Sequence, residues 1–157
     1  MTTTSPLRIC VLPGDGIGIE VIEATVPLLE RFGTVRAMRD ATRGGLASIL
    51  NEIAADSAVC LRLDESAIPV SDAVRRACEL MGYDPLQIAN EGKFAAVVGR
   101  EEAREAVAFM RAHPLGENAA VIGEVAAAPP GVVVLRTVFG GERVVDVPYG
   151  DILPRIC

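Results

Sequence analysis

The sequence predicts a fold of the α/β (α+β) class, and both composition and hydrophobic periodicity point to it. Half of the 157 residues are hydrophobic, but only 4% are aromatic and there is no Trp. The core must therefore be built from Val, Ile, Leu and Ala, as is usual in α/β proteins. Segments in which apolar residues alternate are separated by segments with apolar residues at helical spacing. A chain of this length predicts one domain with a substantial core.

The charge and hydropathy of the chain argue against several classes of partner. The net charge is −6 at pH 7, so we expect no basic surface for nucleic acid or for an anionic membrane. No apolar run reaches the roughly 18 residues that a transmembrane helix requires. The amino terminus also lacks the charged and apolar regions of a signal peptide. We therefore expect a soluble, cytoplasmic protein.

Residues 35–54 have the most informative pattern, which predicts a strand, a polar glycine turn and an amphipathic helix. Apolar and polar side chains alternate before the turn, and apolar residues recur at i, i+3, i+4 and i+7 after it. The helical positions that we expect to face the core are Leu46, Ile49, Leu50 and Ile53.

The turn between this strand and helix is a candidate anion-binding site. Gly44 and Gly45 allow backbone N–H groups to crowd together at the start of a helix, where the helix dipole and unpaired donors favour a negative charge. Asp40, Thr42 and Arg43 add an acceptor, a hydroxyl and a guanidinium beside them. The alternative is structural: Asp40 or Thr42 caps the helix, and Arg43 is solvated.

The amino-terminal segment predicts a strand over residues 7–12, a glycine loop and a helix over residues 19–32. The stretch LPGDGIG at residues 12–18, followed by Glu20, resembles the amino terminus of isopropylmalate and isocitrate dehydrogenases. The metal-binding aspartates and the catalytic Lys and Tyr of those enzymes have no counterpart in this chain. We therefore expect a dehydrogenase-like βα segment over residues 1–34 that is not an independent domain.

The glycines of this loop do not follow the G-x-G-x-x-G pattern of a dinucleotide site. Nucleotide binding through residues 14–18, as a remnant of a dehydrogenase, is therefore a remote alternative.

The middle of the chain predicts a strand over residues 58–63 and a helix over residues 72–81. Ser71 is a good N-cap for that helix, and Gly82 is a good stop. Its apolar face, which we expect to be buried, consists of Val74, Ala77, Cys78 and Met81. One helical turn over residues 84–88 follows.

A second polar glycine turn, at residues 89–92, precedes a strand over residues 93–98. The next helix, over residues 101–111, is expected to bury Ala103, Ala106, Val107 and Met110. His113 then serves as a turn or cap residue. The remaining elements that the sequence predicts are a strand over residues 119–125, a hairpin of strands 132–138 and 142–147, and an extended, detachable tail over residues 148–157.

The cysteines do not predict a metal site. The chain has four cysteines, which are widely spaced without a Cys-x-x-Cys pair, and one His. Cys10, Cys60 and Cys78 lie among apolar residues, where a free Cys is commonly a small buried hydrophobe. Cys157 differs because it is the last residue.

From residue 35 to residue 157 the sequence resembles the carboxy-terminal domain of the HypE family of hydrogenase maturation proteins, within the AIR synthase (PurM-like) superfamily. The similar stretches are MRDATRGGL at 38–46, LNEI at 50–53, ANEGK at 89–93, HPLG at 113–116, IGE at 122–124 and PRIC at 154–157. The resemblance implies a PurM-like carboxy-terminal domain, with a mixed sheet and packed helices, to which an amino-terminal βα unit has been added.

In that family the terminal Cys receives a carbamoyl group from HypF, and an ATP-dependent dehydration converts the group to a thiocyanate. The cyanide then passes to iron on a HypC–HypD complex. The resemblance implies that Cys157 is the carrier and Glu91 the base. It also implies a phosphate or thiocarboxamide site formed by Asp40, Thr42, Arg43, Gly44, Gly45 and Asn90.

Full-length members also have an amino-terminal domain that supplies most of the ATP site and the dimer interface. We therefore expect this chain alone to be inactive or weak as an enzyme, and a homodimer stays open. A non-catalytic partner-binding or scaffold domain is the alternative from another functional class. Lys93, the only Lys, is placed to pair with Glu91 or to contact a phosphate.

Overall fold

A seven-stranded sheet forms the centre of the structure, a computed structural model that describes residues 31–32 and 35–147 and the backbone of residues 8–12. The strands are β1 (Arg8–Leu12), β2 (Ala37–Asp40), β3 (Cys60–Asp64), β4 (Phe94–Val98), β5 (Ala120–Ala126), β6 (Val132–Arg136) and β7 (Glu142–Val144).

The strand order is β2-β4-β1-β5-β3-β6-β7. Strands β3 and β6 are parallel, and the other neighbouring pairs are antiparallel. The predicted mixed sheet is therefore confirmed. Strand β1 lies between β4 and β5, so the amino-terminal segment contributes an interior strand of the sheet. The boundary between residues 34 and 35 stays a prediction, and residues 13–30 lie outside the described residues.

Helix α1 (Gly45–Asp56) packs on one face of the sheet. Its four predicted core positions are all buried, which confirms the helical periodicity of residues 46–53. Leu50 is completely buried and belongs to one cluster with Leu61, Ile122 and Leu135. The free energy gained by burying this apolar face holds the start of α1, and therefore the glycine turn before it, in a fixed place.

Helix α3 (Ala103–Arg111) covers the opposite face with the four side chains that its periodicity predicts. Alternate residues of β4 enter the two clusters, as expected of a strand buried on both sides. Phe32 packs edge to face on Phe109, with ring centroids 5.8 Å apart. This contact joins residues 31–32 to the helix.

Helix α2 (Asp72–Met81) is bounded as predicted, because the Ser71 hydroxyl accepts from the Val74 amide and Gly82 ends the helix in a left-handed conformation. The prediction for its buried face is wrong, since only Cys78 of that face is buried. Val74 is 42% exposed and Met81 60% exposed. Periodicity identifies an apolar stripe, but burial also requires a surface that covers the stripe.

The other predicted elements are present with shifted ends. Strand β3 begins at Cys60 because Ala58 has a positive φ of 50° in the turn after α1. Strands β6 and β7 form the predicted hairpin, and residues 85–87 form the predicted helical turn. Cys60 and Cys78 are buried as expected, and burial raises the pKa of the Cys60 thiol.

Three further predictions are not tested by the structure. The glycine loop at residues 13–18 and the tail at residues 148–157 lie outside the described residues, as does the side chain of Cys10. Within the described part of the chain, no helix has both the length and the hydropathy of a membrane span.

The packing of α1 can be tested by Leu50→Ala. Because Leu50 is completely buried, the loss of its side chain should lower the free energy of unfolding by about 2–5 kcal/mol. The same change at Leu80, which is 88% exposed on α2, should alter it by less than about 0.5 kcal/mol. Urea unfolding of both variants measures the difference, and a loss below about 1 kcal/mol for Leu50→Ala would show that α1 is wrongly placed.

Candidate functional site

The two polar glycine turns predicted from the sequence lie side by side. Strands β2 and β4 are antiparallel neighbours, with Asp40 opposite Phe94 at the end where the first turn begins and the second turn ends. Beyond this pair, the Ala41 amide donates to the Lys93 carbonyl at 2.9 Å, and the Ala41 carbonyl accepts from the Asn90 amide at 3.1 Å. One residue of the first turn, Ala41, is thus hydrogen-bonded through both its N–H and its C=O to residues 90–93.

Helix α1 begins without a side-chain cap. Its N-cap is Gly44, which has a φ of 64° and no capping hydrogen bond from a side chain. The structural alternative, in which Asp40 or Thr42 caps the helix, is therefore wrong. Both residues precede the N-cap position, and the Thr42 hydroxyl donates instead to an Asp40 carboxylate oxygen at 2.6 Å. The first amides of α1 consequently lack a side-chain acceptor, a condition that favours an anion.

Gly45 is required by close packing as well as by backbone conformation. Its φ is 62°, and a Cβ at this position would lie 2.5 Å from the carbonyl oxygens of both Leu86 and Ile88. Such a distance is far inside van der Waals contact, so the bare α-carbon lets the start of α1 lie directly on the turn at residues 85–88. The same segment also orients Asn90, whose side-chain amide donates to the Ile88 carbonyl at 3.0 Å.

Beside these turns lies a groove of about 680 Å³. Buried apolar side chains, including Leu46, Leu86 and Phe94, line much of it. Asn90 and Lys93 line one wall. Its other polar lining residues are Ser71, Glu117 and Asn118.

The HPLG stretch at residues 113–116 closes another side of the groove. His113 caps a short 3-10 turn (Pro114–Gly116), because its Nδ1 atom accepts from the Leu115 amide at 3.3 Å. The predicted role of His113 as a turn or cap residue is confirmed. Pro114 and Leu115 line the groove. Three stretches that are far apart in sequence therefore meet at one concave surface.

The residues predicted from the sequence occupy different places at this surface. Asn90 lines the groove, whereas Arg43 and Glu91 are exposed on the adjacent turns. Within the described part of the chain, the carboxylate of Glu91 makes no hydrogen bond or ion pair. Cys157 lies outside the described residues. The other positions predicted on the first turn lie next to the groove and not in its lining. They are Asp40, Thr42, Gly44 and Gly45.

Several groove residues were not predicted to be site residues. The sequence predicts Ser71 only as a helix cap and predicts no role for Glu117 and Asn118. For Lys93 the sequence allows pairing with Glu91 or contact with a phosphate, and the structure contains no ion pair between Lys93 and Glu91. Its Nζ atom donates to the Asn90 side-chain oxygen at 3.0 Å instead. For Glu117 the available signal is its position directly after the stretch at residues 113–116, whereas Ser71 is far in sequence from all three stretches.

Comparison with known protein families agrees with this arrangement. The family described as AIR synthase related protein, C-terminal domain, matches residues 12–136. The chain belongs to this family. The match begins inside the segment that resembles dehydrogenases, and the comparisons do not support that resemblance.

Among curated proteins, the chain is similar to the carbamoyl dehydratase HypE of Bradyrhizobium diazoefficiens. The two are 55% identical over 123 residues, which cover 78% of this chain and 36% of that relative. The chain therefore spans little more than a third of the length of this relative.

Solved structures give the same result. The structure of Escherichia coli HypE matches 99% of this chain and 54% of its own, with a TM-score of 0.87 and 36% identity. A structure of HypE in complex with ATP matches 96% of this chain and 52% of its own, with a TM-score of 0.85 and 35% identity. A HypE–HypF complex matches 90% of this chain and 53% of its own, with a TM-score of 0.78 and 32% identity. The predicted PurM-like fold is thus confirmed.

The close contact at Gly45 predicts an asymmetric effect of glycine substitution. Gly82→Ala should lower the free energy of unfolding by about 1–2 kcal/mol, the cost of a left-handed alanine. No steric cost is added, because its Cβ would meet nothing within 4 Å. Gly45→Ala should cost that amount plus about 1–3 kcal/mol for displacement of residues 85–88. Urea unfolding gives both losses, and equal losses would contradict the close packing. Amide NMR signals around Asn90 should shift only in Gly45→Ala.

Proposed function

We propose that this chain supplies the part of a HypE-type carbamoyl dehydratase that carries and positions a carbamoyl group. The product of such an enzyme is a thiocyanate, the source of the iron cyanide ligand in nickel–iron hydrogenase. The observation that supports the proposal is the meeting of residues 38–46, 89–93 and 113–116 at one groove. These are the stretches through which the sequence resembles HypE, and their convergence gives the resemblance a site.

The chemistry explains the residue types. The thiolate of Cys157 attacks an activated carbamoyl group, forming the S–C bond of a thiocarboxamide while the activating group leaves. ATP supplies the phosphoryl group that turns the amide oxygen into a leaving group. Removal of both nitrogen protons and loss of that oxygen as phosphate leave the thiocyanate. Glu91 is assigned as the base, because its exposed carboxylate has no partner in the described part of the chain.

The end of the described chain lies close enough for this role. The Asn51 side-chain amide donates to the Val145 carbonyl at 2.8 Å, which ties the chain after β7 to α1. The Gln87 side chain donates to the Asp146 carbonyl at 3.5 Å, beside the turn that lines the groove. Ten residues follow Val147, and at about 3.3 Å each they span at most roughly 33 Å. Glu91 is only four residues after Gln87, so a segment of ten residues is long enough to bring a terminal thiol to its carboxylate.

The described residues fit a phosphoryl group better than a whole nucleotide. The uncapped start of α1 at Gly44 and Gly45 and the ammonium group of Lys93 favour an anion. Asp40 and Thr42, whose side chains are hydrogen-bonded to each other, and the exposed guanidinium of Arg43 are assigned to the same site. A triphosphate normally requires several cationic groups and a magnesium ion held by carboxylates. We therefore assign most of the ATP site to a domain outside this chain.

The proposed partners follow from the same chemistry. A HypF-type carbamoyltransferase would donate the carbamoyl group, and the similar HypE–HypF complex supports that assignment. A HypC–HypD-type complex would accept the cyanide.

A second candidate function is a partner-binding or scaffold domain without chemistry. It is favoured by exposed apolar side chains away from the groove, notably Leu80, which is 88% exposed, and Phe139, which is 97% exposed at the tip of the β6–β7 hairpin. Acceptance of a carbamoyl group by Cys157 separates the two functions.

Replacement of the terminal thiol tests the proposal. With a HypF-type protein, carbamoyl phosphate and ATP, the chain should gain the mass of one carbamoyl group on Cys157. Cys157→Ser should gain none, because the hydroxyl is a far weaker nucleophile at neutral pH. Deletion of residues 150–157 should have the same effect and leave the melting temperature nearly unchanged.

Intact-protein mass spectrometry measures the modification, and Cys78→Ser is the matched control, because Cys78 is buried. Loss of modification in Cys78→Ser but not in Cys157→Ser would contradict the assignment of Cys157 as the carrier. Absence of modification in the unaltered chain would favour the scaffold function.

The described residues around the groove include few cationic side chains, which predicts weak nucleotide binding. We expect the isolated chain to bind ATP no more tightly than about 1 mM, or roughly −4 kcal/mol, and to hydrolyse it at the background rate. Titration calorimetry measures the affinity. Micromolar binding would contradict the assignment of most of the ATP site to another domain, and would direct attention to residues 14–18.

A further inference from the structure

Among the described residues that line the groove, Lys93 has the only cationic side chain. Lys93 is half-buried, and its Nζ atom donates to the side-chain oxygen of Asn90 at 3.0 Å. An amide oxygen is a neutral acceptor, so the contact orients the ammonium without cancelling its charge. Two of its three donors remain for another acceptor.

Asn90 is itself fixed on two sides. Its backbone amide donates to the Ala41 carbonyl at 3.1 Å, and its side-chain nitrogen donates to the Ile88 carbonyl at 3.0 Å. The second bond decides the orientation of the amide, because it requires the nitrogen to face Ile88 and leaves the oxygen facing Lys93. A flexible side chain that is already oriented loses less entropy on binding a ligand.

The acidic groups near Lys93 do not neutralise it. Glu117 also lines the groove, and Glu91 lies two residues before Lys93, yet neither is within ion-pair distance of the ammonium. Glu117 accepts from the Asn118 side chain at 3.3 Å. The positive charge in this wall of the groove is therefore available to a ligand.

A second feature of the same region favours a negative ligand. Leu46, in the first turn of α1, lines the groove, and no side chain caps that end of the helix. The partial positive charge of the helix start therefore adds to the charge of Lys93. Apolar neighbours such as Phe94 reduce the local dielectric constant, which strengthens both contributions.

We propose that Lys93 is the phosphoryl-binding residue of the groove and that Asn90 is the residue that positions it. The assignment rests on the proposed function for the identity of the natural ligand, which is a phosphoryl group transferred from ATP to the carbamoyl oxygen. The ammonium holds that group through charge-assisted hydrogen bonds. Asn90 acts only through Lys93 and does not contact the phosphoryl group.

The experiment uses the full chain and pyrophosphate as the probe. Because the chain contains a single Lys, protein grown with ¹³C,¹⁵N-labelled lysine gives one set of side-chain NMR signals. Addition of pyrophosphate should shift the Cε and Nζ signals of Lys93 in a saturable way. Sodium chloride at equal ionic strength should not reproduce the shift.

Variants are compared through their backbone amide signals during the same titration. Lys93→Gln should weaken pyrophosphate binding by at least about fivefold, and Lys93→Arg should retain most of it because it keeps the charge. Arg100→Gln is the charge-matched control. Arg100 is exposed beyond the opposite end of β4, roughly 23 Å along the strand direction from Lys93, so its removal should leave the affinity unchanged.

Asn90→Ala tests the positioning role. In the unaltered chain, a fixed ammonium should give two distinct Hε signals for Lys93. In Asn90→Ala these signals should merge as in a freely rotating side chain, and the affinity for pyrophosphate should fall. A merely structural role of Asn90 would lower stability without merging the two signals.

Failure of this inference is distinguishable from failure of the proposed function. Equal affinities for Lys93→Gln and Arg100→Gln, or unshifted Lys93 signals, would overturn the inference even if Cys157 accepts a carbamoyl group. Pyrophosphate binding that depends on Lys93 in a chain whose Cys157 is never modified would support the inference and contradict the proposed function.

Discussion

The two backbone hydrogen bonds of Ala41 determine the relative position of the two polar turns, and the candidate site depends on them. Ala41 donates to the Lys93 carbonyl and accepts from the Asn90 amide, so the β2–β4 pairing continues one step beyond the strands. The bare α-carbon of Gly45 then lets α1 begin against the carbonyl groups of Leu86 and Ile88. Since these contacts are made by backbone atoms, the shape of the site is set by the fold. Its chemistry is set separately by the side chains on the turns.

The sequence predicts the parts of the fold that local patterns determine. The apolar faces of α1 and α3 were predicted residue by residue, because a helix that packs on a sheet must present one apolar stripe. Local patterns failed where burial depends on a distant surface. Helix α2 has a comparable stripe, but Val74 and Met81 are exposed. The helix cap failed for a different reason: Asp40 and Thr42 are strong capping residues, and the chain instead enters α1 through Gly44 and Gly45, both with positive φ.

The candidate site was predicted as two separate turns, and only the sheet register shows that they are one site. Nothing local in residues 38–46 or 89–93 indicates that Asp40 lies opposite Phe94. The groove also includes Ser71, which the sequence predicts only as a helix cap, and Asn118, for which it predicts no role. Long-range pairing in an antiparallel sheet is specified by the complete set of buried faces. The composition of a site can therefore be predicted from single turns, whereas its extent cannot.

The partner of Lys93 depends on the tertiary structure and could not be predicted from the neighbouring residues alone. From the sequence, Lys93 can pair with Glu91, two residues before it, or contact a phosphate. In the structure the two side chains form no ion pair, and the neutral amide of Asn90 is the hydrogen-bond partner of Lys93. An ion pair would have stabilised the turn only modestly, since half-exposed pairs are screened by water. The amide contact gives up that small gain and leaves both charges unpaired, one exposed at the turn and one in the groove. The proposed base, Glu91, and the proposed phosphoryl-binding group, Lys93, are thus two residues apart and form no ion pair with each other. Removal of a proton beside a phosphoryl group requires a base and a cation that do not neutralise each other.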